Sequence, residues 1–296
     1  MKTAKRLLAL VLVLAMALSL SACGGFAGSM VRAVRKLEKL DSLRMDTDVQ
    51  INMSLSMLGM STPVDMSASG TSDINTDPLK VKSDLNLDLG LLGITREILS
   101  YCERQGDGYI LYLSPDGESW SRQTLEPSES SAGKGKISLS AVLALANRFE
   151  KTGTVTVRGS EATAYEGVIK AEEINLAMEQ SGGMDSLREA LGGDEDFSFT
   201  GSVPVTVALD NKSGMIVMVS LDLTEIMQDL MPLLMDRVMA SVAEEAGMGG
   251  MDLSALGLEL NVDSATVTET LYDFDAVGPI EIPEAALNAP ELSSAA

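Results

Sequence analysis

The sequence predicts an α+β domain, a sandwich of long one-sided antiparallel strands and amphipathic helices. Three observations predict it. Several strands are long, with one dry side and one wet side, as in a sheet that buries a single face. They follow one another through short turns, which gives a meander. Amphipathic helices are interspersed, and a helix stripe packed on a one-sided sheet closes the core.

The chain of 296 residues opens with Lys2, Lys5 and Arg6, an apolar run from Leu7 to about Leu20, and small residues before Cys23. This is the grammar of a secretory signal, and the run is too short for a stable transmembrane helix. Leu20-Ser21-Ala22-Cys23 matches the lipobox pattern, so residues 1–22 are expected to be removed and Cys23 acylated. Two acyl chains suffice for durable anchoring. The expected address is the outer face of the cell membrane, lipid-anchored. Loss of three basic residues with the leader takes the formal charge from −21 to −24. A chain this acidic excludes nucleic acid as a partner.

There is no histidine, which removes the commonest general base and metal ligand together. Cys102 has no partner once Cys23 is acylated, so no disulfide framework is expected, and it reads as a small buried hydrophobe. Aromatic residues make up only 4% of the chain, so Leu, Val, Ile, Ala and Met must build the core.

Residues 23–30 read as a lipidated tether, 31–283 as one domain and 284–296 as a disordered tail. A first helix is expected over 30–42, with Val31, Val34, Leu37 and Leu40 on one side. Arg32, Arg35, Lys36 and Lys39 make it basic, which suits either a solvated face or contact with anionic headgroups. From Met45 to Met57 apolar residues hold the odd positions, the clearest strand in the chain. Val64, Met66 and Ala68 alternate on the return, and Leu79 to Leu91 form a third long strand. Shorter strands are expected near 97–104, 108–113 and 119–124. Residues 126–136 have the composition of a loop, and a helix is expected at 139–151. A hairpin (153–158 with 162–170), helices near 171–181 and 184–191, and a second hairpin turning at Asp210–Gly214 follow. Asp222-Leu-Thr-Glu225 reads as a capping box opening a helix to about 246, with Pro232 inside it. A last long strand is expected at 257–272, and an edge strand at Ile280–Pro283.

Motifs for chemistry are weak. Asp84-Leu-Asn86-Leu-Asp88 imitates the start of a calcium loop, but its twelfth position is Thr95, and a wet strand face explains the spacing. Ser131-Ala-Gly-Lys134 and Lys212-Ser213-Gly214 echo penicillin-binding enzymes without the third element of that set. No catalytic residue, metal site or cofactor is expected. The informative feature is a stripe of Met227, Met231, Met235 and Met239 beside Leu230, Leu234 and other aliphatics. It makes the helix apolar over about half its circumference, more than packing on a sheet requires. Such a stripe is usually core. The excess also suits the wall of an apolar cavity, which methionine fits well, whereas a copper(I) site is the weakest reading.

The lipobox, basic first helix, alternating strands, the run Gly108-Tyr-Ile-Leu-Tyr-Leu113 leading to Trp120, and Pro279-Ile-Glu-Ile-Pro283 together resemble lipoproteins of Gram-positive bacteria. These are similar to the LolA/LppX-like superfamily, and the resemblance spans roughly 31–286. It implies a long curved antiparallel sheet, an unclosed half-barrel whose concave face is covered by helices, with a space between sheet and helices that takes acyl chains or lipoproteins, and no catalytic residues. The first expectation is a non-enzymatic binding domain for an apolar or lipid-like ligand. Met227, Leu230, Met231, Leu234 and Met235 would line it from the helix, and Met53, Leu55, Leu85 and Leu87 from the sheet. The other is a solid-cored module presenting its acidic face to a protein or cell-wall partner.

Overall fold

The computed structural model describes residues 26–57, 60–90, 93–106, 108–125, 148–191, 197–245 and 259–291. Cys23, Ser131, Lys134 and most of the helix expected at 139–151 lie outside these.

Helix α1 spans Phe26–Leu37. It begins earlier than the sequence predicts, because Phe26 and Ala27 join Met30 and Ala33 in one buried stripe. Strand β1 (Ser42–Met57) and strand β2 (Met60–Thr76) pair along their whole length, from Ser42 with Asn75 to Met57 with Met60. Strands β3 (Leu79–Leu89), β4 (Ile94–Gln105), β5 (Gly108–Ser114) and β6 (Ser121–Leu125) continue the meander. Asp116 closes the turn between the last two, accepting from the N–H groups of Ser119 and Glu118, which hold its carboxyl down at about 2.

Strand β7 covers Glu150–Val157 and β8 covers Ser160–Ile169, so the helix expected to reach 151 has given way to strand by then. Two helices follow, α2 (Ala171–Ser181) and α3 (Gly183–Leu191). Strands β9 (Val203–Asp210) and β10 (Ile216–Asp222) form the second hairpin. Its turn is held by Asp210, which accepts from the backbone and hydroxyl of Ser213, so Lys212-Ser213-Gly214 is turn chemistry. Helix α4 is Thr224–Glu245, β11 is Glu259–Tyr272 and α5 is Glu284–Leu287.

Among the described residues all strands join one antiparallel sheet in the order β6-β5-β4-β3-β2-β1-β11-β10-β9-β8-β7. It is open, with β6 and β7 as edges, and it carries its helices as the α+β half-barrel reading expects. Directly paired residues share a face, so the register assigns each side chain. Val49, Ile51, Met53 and Leu55 of β1 share the concave face with the even positions of β2 and the odd positions of β3. α1 packs on that face against β8–β10: Phe26, Met30 and Ala33 meet Val205, Val207 and Leu209. Phe26 stacks on Phe149 at 4.9 Å and leans on Tyr165 at 4.3 Å. Phe149 lies so close to Gly167 that a Cβ there would come within 2.7 Å of the ring.

The opposite face has its own core. Tyr101, Ile110, Tyr112 and Trp120 pack against Ile280, Ala286 and Ala289. Ile280–Pro283, expected as an edge strand, is an irregular strap, since Pro279 and Pro283 have no N–H to give a ladder. Residues 284–291, expected within a disordered tail, instead carry α5 and bury Ala286 completely. Glu291 then binds the β6 edge, accepting from Arg122 Nε at 2.8 Å and Thr124 N at 2.9 Å.

Candidate functional site

The methionine stripe meets the sheet. Met231 and Met53, 9% and 5% exposed, form one cluster with Val64, Val262 and Ala265. Met227, Met235, Leu55, Ile51 and Met66 pack around it, partly buried. Residues four apart lie on one side of a helix, so Met227, Met231 and Met235 descend together onto β1, β2 and β11. Leu230 is half-buried and outside this cluster. Leu234 is 40% exposed.

β11 fixes this helix. It carries one extra residue opposite the Asn52–Met53 step of β1, and β10 ends opposite Thr266. Ala265 therefore has an N–H and a C=O with no strand partner on that side. Thr224 Oγ1 accepts the N–H at 3.0 Å, and Leu223 N donates to the C=O at 2.7 Å. Gln228 Nε2 adds a bond to Val262 O at 2.9 Å. Asp222 precedes the N-cap, which is Leu223, whose carbonyl accepts from Met227 N at 2.9 Å, and Asp222 accepts from Thr224 N at 3.0 Å. Glu225 does not close the predicted box. It turns outward and accepts from the N–H and hydroxyl of Ser202.

One turn later, Asp229 accepts from Thr200 N at 2.7 Å, Thr200 Oγ1 at 2.7 Å and Gly201 N at 2.9 Å. The two carboxylates clamp the segment leading into β9 onto α4. The Ser202 bonds, backbone first, hold Glu225 below the ordinary carboxylate range. Burial pulls Asp229 upward, but the bonds from Gly201 and Thr200 outweigh it and leave its carboxyl lowered. Only glycine fits at 201, where a Cβ would come within 2.5 Å of Glu225 Cβ.

Beyond β2 the concave face continues without a described helix. Leu85 and Leu87 lie opposite Gly70 and Ala68, on the same face as Met53, and both are half-buried. Ile98, Leu111 and Leu113 extend the strip through β4 and β5. None of these belongs to the described core clusters. The structure thus brings Met53, Leu55, Met227, Met231 and Met235 into contact and sets Leu85 and Leu87 on an adjoining half-buried strip. Sequence reasoning did not single out Ile98, Leu111 and Leu113. Their face depends on strand register, although the alternation of 109–113 was a usable signal. It also passed over Glu269, which shares the concave face with Thr47 and Val219. Burial pushes the Glu269 carboxyl up.

Asp84, Asn86 and Asp88 alternate on the exposed side of β3, as a wet face requires, and no cluster of metal-ligating side chains occurs among the described residues. An open cleft of about 400 Å³ lies elsewhere, beside β7–β9. Glu150, Glu166, Arg148 and Lys170 line it, and none of the expected apolar residues does.

No family model and no curated protein match the chain. Among solved structures it is similar to the lipoprotein LppX of Mycobacterium tuberculosis, at 14% identity and TM-score 0.41, covering 87% of this chain and 98% of that one. It is similar to LprF of Mycobacterium bovis, at 13% identity and TM-score 0.42, covering 88% and 96%. A putative outer membrane lipoprotein-sorting domain of Vibrio parahaemolyticus matches at 10% identity and TM-score 0.18, covering 82% and 89%.

Proposed function

We propose that the chain is an extracytoplasmic lipoprotein, acylated on Cys23, whose non-enzymatic domain holds an apolar, lipid-like molecule between the sheet and its helices. One observation carries this reading. The apolar concave strip of Leu85, Leu87, Ile98, Leu111 and Leu113 is half-buried, belongs to no described core cluster, and runs on from the methionine layer under α4. An acyl chain laid along it would gain about 0.8 kcal/mol for each methylene removed from water. Met227 and Met235, partly buried at the layer's surface, have unbranched side chains that adapt to an irregular chain.

A second reading has its own support. Met231 packs directly on the Met53 cluster, as it would in a solid-cored module that offers its acidic surface to a protein or cell-wall partner. Native mass spectrometry with lipid extraction on the chain from residue 24 separates the two. Acyl lipid at about one per chain, lost in Leu87→Lys, is the result expected for the binding domain. An unliganded mass that host lipids do not change would sink it and favour the module.

A further inference from the structure

We propose that the outward face of α1 is a docking surface for an anionic lipid bilayer. α1 buries Phe26, Ala27, Met30 and Ala33 against the sheet. At 3.6 residues per turn, Arg32, Arg35 and Lys36 then project together from the opposite side. All three are exposed, as is Lys39 just beyond the helix. Lys212 is exposed on the β9–β10 turn, where Lys36 Nζ donates to the Ser213 carbonyl.

The charge is segregated. The chain holds 43 acidic residues against 22 basic ones, yet 26–39 holds four basic residues and only Glu38. Ion pairs among the described residues engage Arg44, Lys80, Lys82, Arg122, Arg148, Arg158 and Arg188, and none engages α1. Among the described residues Arg32 forms no ion pair and donates to the Ser29 hydroxyl at 3.0 Å. The helix dipole accounts for cations in the last turn, Arg35 and Lys36. It does not account for Arg32 in the middle.

A cationic face on an otherwise anionic domain fits a surface that repels the rest of the molecule and attracts this patch, as anionic headgroups do. Its position agrees. α1 begins three residues after Cys23, so an acylated Cys23 would hold it within reach of the headgroups. That last point alone rests on the lipoprotein reading. Because α1 lies on the concave face, docking turns that face and its half-buried apolar strip toward the bilayer.

The test uses the chain from residue 24, which keeps every described residue and carries no acyl group, so anchor and surface are read separately. Partitioning is measured by co-sedimentation with vesicles of phosphatidylcholine alone and of phosphatidylcholine with roughly one third phosphatidylglycerol. Binding is expected only to the anionic vesicles, weakening as salt rises from about 0.05 M to about 0.5 M. Each neutralised cation should cost roughly fivefold, so Arg32→Gln with Arg35→Gln should lose roughly 25-fold. Lys80→Gln with Lys82→Gln, which removes the same charge from the other face of the sheet, should change it less than about twofold. Equal binding to neutral vesicles, equal loss in both double variants, or no binding at low salt would each overturn the proposal. So would retention on soluble polyphosphate without partition onto vesicles, which would identify the partner as an anionic polymer.

Discussion

Replacing Met231 by alanine tests whether the methionine stripe holds α4 to the sheet. The substitution removes the side chain beyond Cβ from a site 9% exposed and enclosed by Met53, Val64, Val262 and Ala265. Transfer alone accounts for about 2 kcal/mol at roughly 0.8 kcal/mol per methylene-sized group. A rigid void would add on the order of 1 to 2 kcal/mol. The neighbouring thioethers of Met53, Met227 and Met235 can swing into part of it, which returns some of that. The expected loss is about 3 kcal/mol. Leu234→Ala, three residues along at 40% exposure, should cost less than about 1 kcal/mol. Urea unfolding followed by far-ultraviolet circular dichroism reads both. Equal losses, within about 0.5 kcal/mol, would refute the orientation of α4 and with it the placement of Met227 and Met235 on the sheet.

Three further outcomes follow from named groups. Asp229→Ala frees Thr200 N and Gly201 N and should cost about 1 to 2 kcal/mol, with faster amide exchange at those two positions than in the parent. Burial lifts Glu269 above the ordinary 4.5 of glutamate, so its proton is bound more tightly in the folded chain. This group therefore favours folding below that value and disfavours it as pH rises through the lifted pKa. Glu269→Gln should raise stability at neutral pH and change little in acid, and thermal melts across the range would show a uniform effect if the reasoning were wrong. Burial first, then the charge of Glu103, pushes up the thiol of Cys102. Iodoacetamide should label it slowly in the native chain and at the rate of an ordinary thiol in urea, and equal rates would contradict the packing.

What the sequence made legible was periodicity. Alternation from Met45 to Met57 marks β1 and its dry face, because a one-residue slip would turn every side chain over. The stripe at 227, 231 and 235 gave the right side of α4 for the same kind of reason. Sheet order was not legible: β11 pairs with β1 across more than two hundred residues, and nothing local in 259–272 encodes that partner. The start of α1 was hidden because Gly-Gly-Phe-Ala-Gly-Ser has the composition of a tether. Phe26 lies one helical turn before Met30, and only the aromatic site made by Phe149 and Tyr165 draws it into the helix. The strap at 279–283 alternates like a strand, but its prolines forbid pairing. The clamp by Glu225 and Asp229 was invisible, since their partners at 200–202 are polar loop residues with no pattern of their own.

The half-buried strip lies opposite a core on the other face of the sheet. A sheet strand needs one buried face to be stable, and β4 and β5 obtain theirs from the strap: Tyr101, Ile110 and Tyr112 are buried under Ile280, Ala286 and Ala289. Trp120 packs with Tyr101 at 5.6 Å, and Glu291 holds the β6 edge from the same side. At the other end of the sheet, β9 and β10 obtain theirs from α1 on the concave face. The larger clusters of the two ends thus lie on opposite sides, and Ala162, Ala208 and Val217 add a small one on the outer face of β8–β10. Leu111 and Leu113 sit on strands whose folding does not depend on what covers them. Both leucines are half-buried and belong to none of the described core clusters, and apolar surface left partly uncovered beside a packed layer is of the kind that binding uses.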